Sequence, residues 1–205
     1  MKKIIFALVA LGTAATAQAD IIPTLTTSSP VQVGDLFQYT YTATLAADQS
    51  LQTGNFFTIY DFQGFAGFGT VASGFTGTTS LLGRTPSRVN AIDNPSIFNA
   101  TFTYSGPTLN MPMDGGEGVS TRLGSFQILS RFSGVGLIDF ASQAVKNSGF
   151  ATGTLVDNVG SVGGPLSGGG AGSGVPEPSA WAMLIIGFGA VGVAARRRRP
   201  NVVTA

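Results

Sequence analysis

The feature that most constrains this chain is an apolar segment near its C-terminal end. Residues 180–195 are sixteen uncharged, mostly apolar residues, and they are followed directly by Arg196, Arg197, Arg198 and Arg199. A helix of that length covers about 24 Å, slightly less than the hydrocarbon core of a bilayer. Because positive charge beside an apolar helix marks the cytoplasmic side, we predict a C-terminal transmembrane helix with the arginines as its stop and topology signal.

The other end of the chain has the pattern of a secretory signal peptide. A positively charged start precedes a mostly apolar stretch over residues 4–15, and small residues follow at Ala17 and Ala19. Twelve residues are too few to span a bilayer comfortably, and small residues two apart form the usual cleavage pattern. We therefore predict an N-terminal signal helix in residues 1–19, cleaved by signal peptidase so that the mature chain starts at Asp20.

Composition excludes several kinds of chemistry between the two ends. The chain has no Cys and no His, which excludes disulfides, thiolate metal sites and every Ser–His or Cys–His arrangement. From Asp20 to Ala195 there are five basic and ten acidic residues, a net charge near −5, which argues against nucleic acid as a partner. The acids are scattered near turns, where Asp is common for backbone reasons. We expect no enzymatic activity and no cofactor.

Residues 20–157 are predicted to form an all-β cargo domain. Leu36–Leu45 alternates aromatic or aliphatic residues with Gln and Thr, and residues 97–104 repeat the pattern with Phe98 on the apolar face and Thr101 on the polar face. Such alternation is typical of antiparallel strands with one buried face. Further strands are predicted at residues 56–62, 121–132, 135–141 and 150–156, and loops at residues 64–70 and 111–118. About seven to nine short strands favour an antiparallel β-sandwich or jelly roll.

A segment rich in Gly and Ser, residues 158–174, follows the predicted cargo domain. Chains of this composition behave as flexible coils. We therefore predict a linker here, between the β-domain and the C-terminal segment.

Two patterns in the β-domain have both a binding and a structural explanation. Asp114 and Glu117 enclose two glycines, and clustered oxygens favour Ca²⁺, although an ordinary polar turn also accounts for them. These two residues are therefore only weak metal candidates.

The four tyrosines, Tyr39, Tyr41, Tyr60 and Tyr104, could stack on sugar rings. Most of them share a face with phenylalanines, which indicates that they lie in the core. The cargo domain also has no Trp, the aromatic with the largest stacking area, so the tyrosines give little support to carbohydrate binding.

The C-terminal segment also contains a recognisable linear motif. Pro176, Glu177 and Pro178 are followed after a short spacer by Trp181 and Ala182, then by the apolar helix and the basic cluster. Each proline fixes its φ angle and lacks a donor, so the motif should stay extended and outside the helix. The whole arrangement resembles the PEP-CTERM sorting signal in its PEPxxWA variant.

This resemblance, which covers residues 175–199, implies how the protein is handled. In the family, an integral-membrane peptidase or transpeptidase called exosortase is expected to cut near the Pro-Glu-Pro motif. The cargo would first be anchored in the inner membrane and then be released or re-anchored at the cell surface or in the extracellular matrix of bacteria that make exopolysaccharide and biofilm. We expect a structural or adhesive surface protein; the alternative is a carbohydrate-binding module acting on exopolysaccharide, with or without Ca²⁺.

Overall fold

The described part of the chain is built almost entirely of antiparallel β-strands. The computed structural model describes residues 21–110 and 120–167. Five strands form one sheet: β1 (Ile21–Leu25), β2 (Val31–Val33), β3 (Leu36–Leu45), β6 (Phe65–Phe68) and β10 (Thr121–Ser130). Seven strands form the other: β4 (Gln49–Leu51), β5 (Phe56–Ile59), β7 (Phe75–Ser80), β8 (Asn99–Tyr104), β9 (Leu109–Asn110), β11 (Gly134–Lys146) and β12 (Leu155–Leu166). A 3-10 turn at Gly149–Ala151 precedes β12.

The chain crosses repeatedly between the two sheets. The five-stranded sheet has the order β1–β3–β10–β6, with β2 also paired to β3. In the seven-stranded sheet, residues 140–143 of β11 pair with both β5 and β12. These two strands therefore lie on opposite sides of β11, and β12 forms an edge. The all-β prediction is confirmed, and two packed antiparallel sheets are consistent with the predicted sandwich.

The core lies between the sheets and is largely aromatic. The alternation predicted for β3 is confirmed, because Tyr39 and Tyr41 are fully buried while Thr40 between them and Thr42 after them are only partly buried. Phe57 of β5 and Phe102 of β8 stack with ring centroids 4.9 Å apart, and each ring lies 5.0 Å from the ring of Phe126 on the facing sheet. Edge-to-face aromatic pairs at this spacing add to the free energy gained by burial.

Buried tyrosines also bond the two sheets to each other. The Tyr39 hydroxyl donates to the carbonyl of Gly134 at 2.6 Å, and the Tyr41 hydroxyl donates to the carbonyl of Gly163 at 2.8 Å. Burial raises the pKa of Tyr39 to about 12 and also raises the pKa of Tyr41. Both hydroxyls therefore stay protonated at neutral pH. All four tyrosines are buried, which confirms that they belong to the core.

A long connection between β7 and β8, residues 81–98, covers the outer face of the seven-stranded sheet; we call it the strap. The carbonyl of Arg84 accepts a hydrogen bond from the Thr58 hydroxyl at 2.8 Å, and Thr58 also bonds Thr101 at 2.9 Å. The prediction that the polar face of β8, including Thr101, is the unburied one is therefore wrong, because the strap buries Thr101 and its neighbour Asn99. Their polar atoms find partners beneath it, as buried polar groups generally do.

Strand β12 corrects the predicted domain boundary. Residues 158–174 were predicted as a linker, but Leu155–Leu166 pairs without interruption with β11. At Gly160 a Cβ atom would lie 2.8 Å from the Phe140 ring, so the space above this glycine is filled by its cross-strand partner. The linker prediction is wrong up to the end of the strand, and its part from residue 168 onward lies outside the described residues.

Two further predictions are wrong, and five are confirmed, one with its predicted ends and four with shifted ends. Residues 64–70 were predicted as a loop, but β6 lies there and pairs with β10. Residues 150–156 were predicted as a strand, but that segment holds the end of the 3-10 turn and only the start of β12. The strands predicted at residues 36–45, 56–62, 97–104, 121–132 and 135–141 correspond to β3, β5, β8, β10 and β11.

The predicted signal helix and the predicted transmembrane helix both lie outside the described residues. Within residues 21–110 and 120–167, the structure has no helix with the length and apolar character needed to cross a membrane.

Candidate functional site

Two neighbouring cavities lie where the end of β5, the strap, the β10–β11 turn and the end of β12 meet. The first, which we call the Arg131 cavity, has a volume of about 380 Å³. The second, which we call the Asp61 cavity, has a volume of about 370 Å³. Gln63 and Ile97 line both of them. Cavities of about 300–1,000 Å³ are of the size that holds small ligands, so this end of the sandwich is the candidate site.

The wall of the Arg131 cavity depends on a close approach at Gly64. This residue has φ +64°, and a Cβ atom there would lie 2.7 Å from the Phe132 ring. Glycine is favoured on both counts. The buried Ser130 hydroxyl donates to the carbonyl of Gln63 at 2.7 Å and accepts from the Phe132 N–H at 3.0 Å. These bonds hold the β10–β11 turn, including Arg131, against the start of β6.

Phe98 provides a fixed aromatic surface in the same cavity. Its backbone carbonyl accepts a hydrogen bond from the Phe62 N–H at 2.8 Å, and its ring lies 6.1 Å from the ring of Phe65. The side chain is nevertheless 44% exposed. The prediction that Phe98 lies on the apolar face of a strand is wrong, since β8 begins only at the next residue. The preceding Asn-Pro pair at Asn94 is the sequence signal for that late start.

Arg131 and Gln63 provide hydrogen-bond donors in the Arg131 cavity. Arg131 is exposed, and in the part of the chain that the structure describes its guanidinium has no ion-pair partner, whereas Arg88 pairs with Asp157 and Lys146 with Asp48. The Gln63 side-chain oxygen accepts from the Ser167 N–H at 2.7 Å. Because the Gln63 oxygen accepts that bond, the amide nitrogen of Gln63 remains as a donor.

The Asp61 cavity has the opposite character, because carboxylates line it. Asp61 Oδ1 accepts from the Asn94 N–H at 2.9 Å, and Asp139 Oδ2 accepts from the Ile92 N–H at 3.2 Å. Asp93 accepts similarly from Gly83 at 2.8 Å. Each of these carboxylates therefore satisfies a backbone donor of the strap, which is a structural role in itself.

The electrostatics of Asp61 reflect this crowding. Burial raises the pKa of the Asp61 carboxyl above its ordinary value, and the negative charges of Asp93 and Asp139 raise it further, against the opposing effect of the Asn94 hydrogen bond. Even so, residues 21–110 and 120–167 contain no group of three Asp, Glu, His or Cys placed to hold a metal ion.

The residues singled out from the sequence lie elsewhere. The weak Ca²⁺ candidates Asp114 and Glu117 fall in residues 111–119, outside the described ranges. So do the signal peptidase site, the Pro-Glu-Pro motif with Trp181 and Ala182, and the four arginines. Sequence reasoning missed both cavities, because their linings come from segments that are far apart in the chain.

Comparison with known proteins identifies the C-terminal segment. Residues 174–199 match the family model of the PEP-CTERM protein-sorting motif. Comparison with curated proteins and with solved structures finds no match.

Proposed function

Because this chain is a PEP-CTERM protein, we propose that its β-sandwich is an exported surface cargo of structural or adhesive type. The motif implies export, a membrane-anchored C-terminal sorting signal and processing by exosortase. The observation that carries the proposal is the position of the motif. The sandwich runs to Leu166, and the motif begins at Gly174, so cleavage at the motif would leave the sandwich intact.

The chemistry of the described residues supports a non-enzymatic role. The chain offers neither His nor Cys as a base or nucleophile, and the carboxylates of Asp61, Asp93 and Asp139 already accept backbone hydrogen bonds from the strap. Glycoside hydrolysis needs one carboxyl as acid and another as base or nucleophile. We expect no turnover when the purified protein is incubated with polysaccharides; release of reducing ends above the level of a heated control would overturn this part of the proposal.

The sorting role is tested by replacing Pro176, Glu177 and Pro178 together with alanine. Without the two prolines the segment loses the restriction on φ from which an extended motif is predicted, and without the glutamate it loses its only charge. We expect unprocessed protein to accumulate in the inner membrane, measured by fractionation and intact mass. Ser179→Ala, at a variable position of the same motif, is the matched control and should be processed normally. Normal processing of the triple variant would exclude sorting through this motif.

Binding of exopolysaccharide is the second candidate function, and the Arg131 cavity is the observation that favours it. An exposed aromatic ring beside hydrogen-bond donors is a common arrangement in small-molecule sites. Glycan-array binding measured with and without Ca²⁺ would test it. Binding that requires Ca²⁺ and is lost in Asp114→Asn would support a metal-assisted form, and no binding in either condition would remove this candidate.

A further inference from the structure

We propose that the Arg131 cavity binds an acidic sugar residue of a polysaccharide, with the sugar ring on Phe98 and its carboxylate on Arg131. The inference rests on the proposed function, since it names the ligand class of a cargo that works outside the cytoplasm. It is carried by three observations on described residues: the size of the cavity, the exposed Phe98 ring, and the guanidinium of Arg131 in the same lining.

The size and lining of the cavity fit one ring of a glycan chain. At about 380 Å³ it lies at the lower end of the range for small-molecule sites. Phe65, Phe98 and Phe132 form the apolar part of the lining, while Gln63 and Arg131 provide polar groups. A sugar ring is likewise divided into an apolar part, its C–H face, and a polar part, its rim of hydroxyl groups. It can therefore cover the aromatic surface and meet the donors at once.

The exposure of Phe98 is maintained at a cost that a purely structural residue would not need. The ring is 44% exposed, although burying the rest of its apolar surface would stabilise the fold. Its backbone bond to Phe62 and its ring contact with Phe65 restrict movement. A platform that is already ordered loses little entropy when a ligand binds.

The donors select an anionic ligand. The described residues contain five basic side chains and six acidic ones, a net charge of −1, so no general positive field attracts anions to this domain. An anion would therefore have to be attracted by a local positive charge. Arg131 lines the cavity and has no ion-pair partner within residues 21–110 and 120–167. Its planar guanidinium matches the two oxygens of a carboxylate.

A uronic acid fits this pairing better than an acidic peptide does. In a uronic acid the carboxylate is attached directly to a ring with an apolar face, and Phe98 and Arg131 line the same cavity. An Asp or Glu side chain presents a carboxylate on a flexible stem with no flat apolar face beside it. The adjacent Asp61 cavity is lined by acceptors, which suits hydroxyl groups of a neighbouring neutral sugar.

The experiment measures binding of the full-length protein in detergent by titration calorimetry. The probes are oligomers of galacturonate, glucuronate and mannuronate, a galactose oligomer of equal length, and a hexaglutamate peptide. We expect at least one acidic oligosaccharide to bind at least about tenfold more tightly than the neutral oligomer, because the charge-assisted pair is lost in the latter. Binding to none of the acidic oligosaccharides overturns the proposal, as does equal binding of the neutral oligomer.

Variants assign the binding to the cavity. Arg131→Gln and Phe98→Leu should each weaken binding at least about tenfold, and Phe98→Leu keeps apolar volume while removing the flat ring. Arg122→Gln, on an exposed arginine outside the cavity, is the matched control and should bind normally. Far-UV circular dichroism and thermal unfolding check that each variant is folded.

Two further results contradict the proposal, and they can be told apart from a failure of the sorting function. Unchanged binding by a folded Arg131→Gln places the ligand elsewhere, and Arg131-dependent binding of hexaglutamate alone would indicate a peptide partner. Neither result depends on sorting, whereas failure of the proposed surface function would appear as normal processing of the triple-alanine variant, with sugar binding unaffected.

Discussion

At the scale of single residues, Asp61 combines an unusual backbone conformation with a hydrogen bond and a raised pKa. Its backbone has φ +50°, a left-handed conformation that Asp and Asn tolerate better than other side chains. Its carboxylate accepts the Asn94 N–H, and burial together with Asp93 and Asp139 raises its pKa. The ionised carboxylate is therefore useful as a hydrogen-bond acceptor but is disfavoured as a charge.

We predict that Asp61→Asn stabilises the protein at pH 7, because the amide oxygen keeps the bond to Asn94 while the neutral side chain avoids burying a charge near Asp93 and Asp139. An acid with a raised folded pKa favours the folded state most when it is protonated, so its contribution falls as pH rises from its unfolded value of 3.8 through the folded value. Urea unfolding should thus show a wild-type deficit that is present at pH 7 and absent below pH about 3.5.

The paired variant Asp61→Ala separates charge from hydrogen bonding. It loses the acceptor for Asn94 and is unfavourable at positive φ, so we expect a loss of about 1–3 kcal/mol at pH 7. If Asp61→Asn did not stabilise the protein at pH 7, the explanation of the raised pKa by burial and neighbouring negative charge would be wrong.

At the scale of the elements, the alternation of apolar and polar residues predicted strands correctly. A high glycine content, in contrast, led to the wrong prediction of a linker. β3 follows period two over its full length, and its bounds could be read directly from the sequence. β12 could not, because its Gly-rich sequence is that of a flexible coil when taken alone. What makes it a strand is β11, whose Phe140 ring fills the space over Gly160. Information of that kind resides in a cross-strand pair and is invisible to local periodicity.

We predict that a chain ending at Asp157 fails to fold and that a chain ending at Ser167 folds normally. Removing most of β12 uncovers one side of β11 and loses the buried Val162, a side chain worth about 1.5–3 kcal/mol by itself, against a total stability of about 5–15 kcal/mol. Far-UV circular dichroism and cooperative urea unfolding of both chains, each beginning at Asp20, measure the difference. Similar unfolding midpoints would restore the linker interpretation of residues 158–166.

At the scale of the whole molecule, the sorting signal was easier to predict than the candidate binding cavity. The sorting motif is a contiguous linear pattern, so it could be identified without any fold, and the family comparison confirms it. The Arg131 cavity combines residues near positions 63, 98, 131 and 167. The pairing of β5 with β8, of β6 with β10 and of β11 with β12 brings those positions together, so no local pattern could have predicted the cavity.

The segregation of charge along the chain gives the last prediction. Replacing Arg196, Arg197, Arg198 and Arg199 with glutamine removes the positive-inside signal, so we expect the C-terminal end to be retained less firmly on the cytoplasmic side. Because the chain has no Cys, Ala205→Cys introduces a unique thiol that a membrane-impermeant maleimide can report. Labelling of intact spheroplasts should rise in the glutamine variant and stay low when the four arginines become lysines; equal labelling of both would count against a topological role.

The placement of Ser167 has a mechanical consequence. This residue borders the Arg131 cavity and is bonded to Gln63, and the chain continues from it toward the sorting motif. If a ligand were bound in that cavity and the chain were held at a point beyond Ser167, a pulling force between the two would act through a few neighbouring residues, among them Ser167 and Gln63.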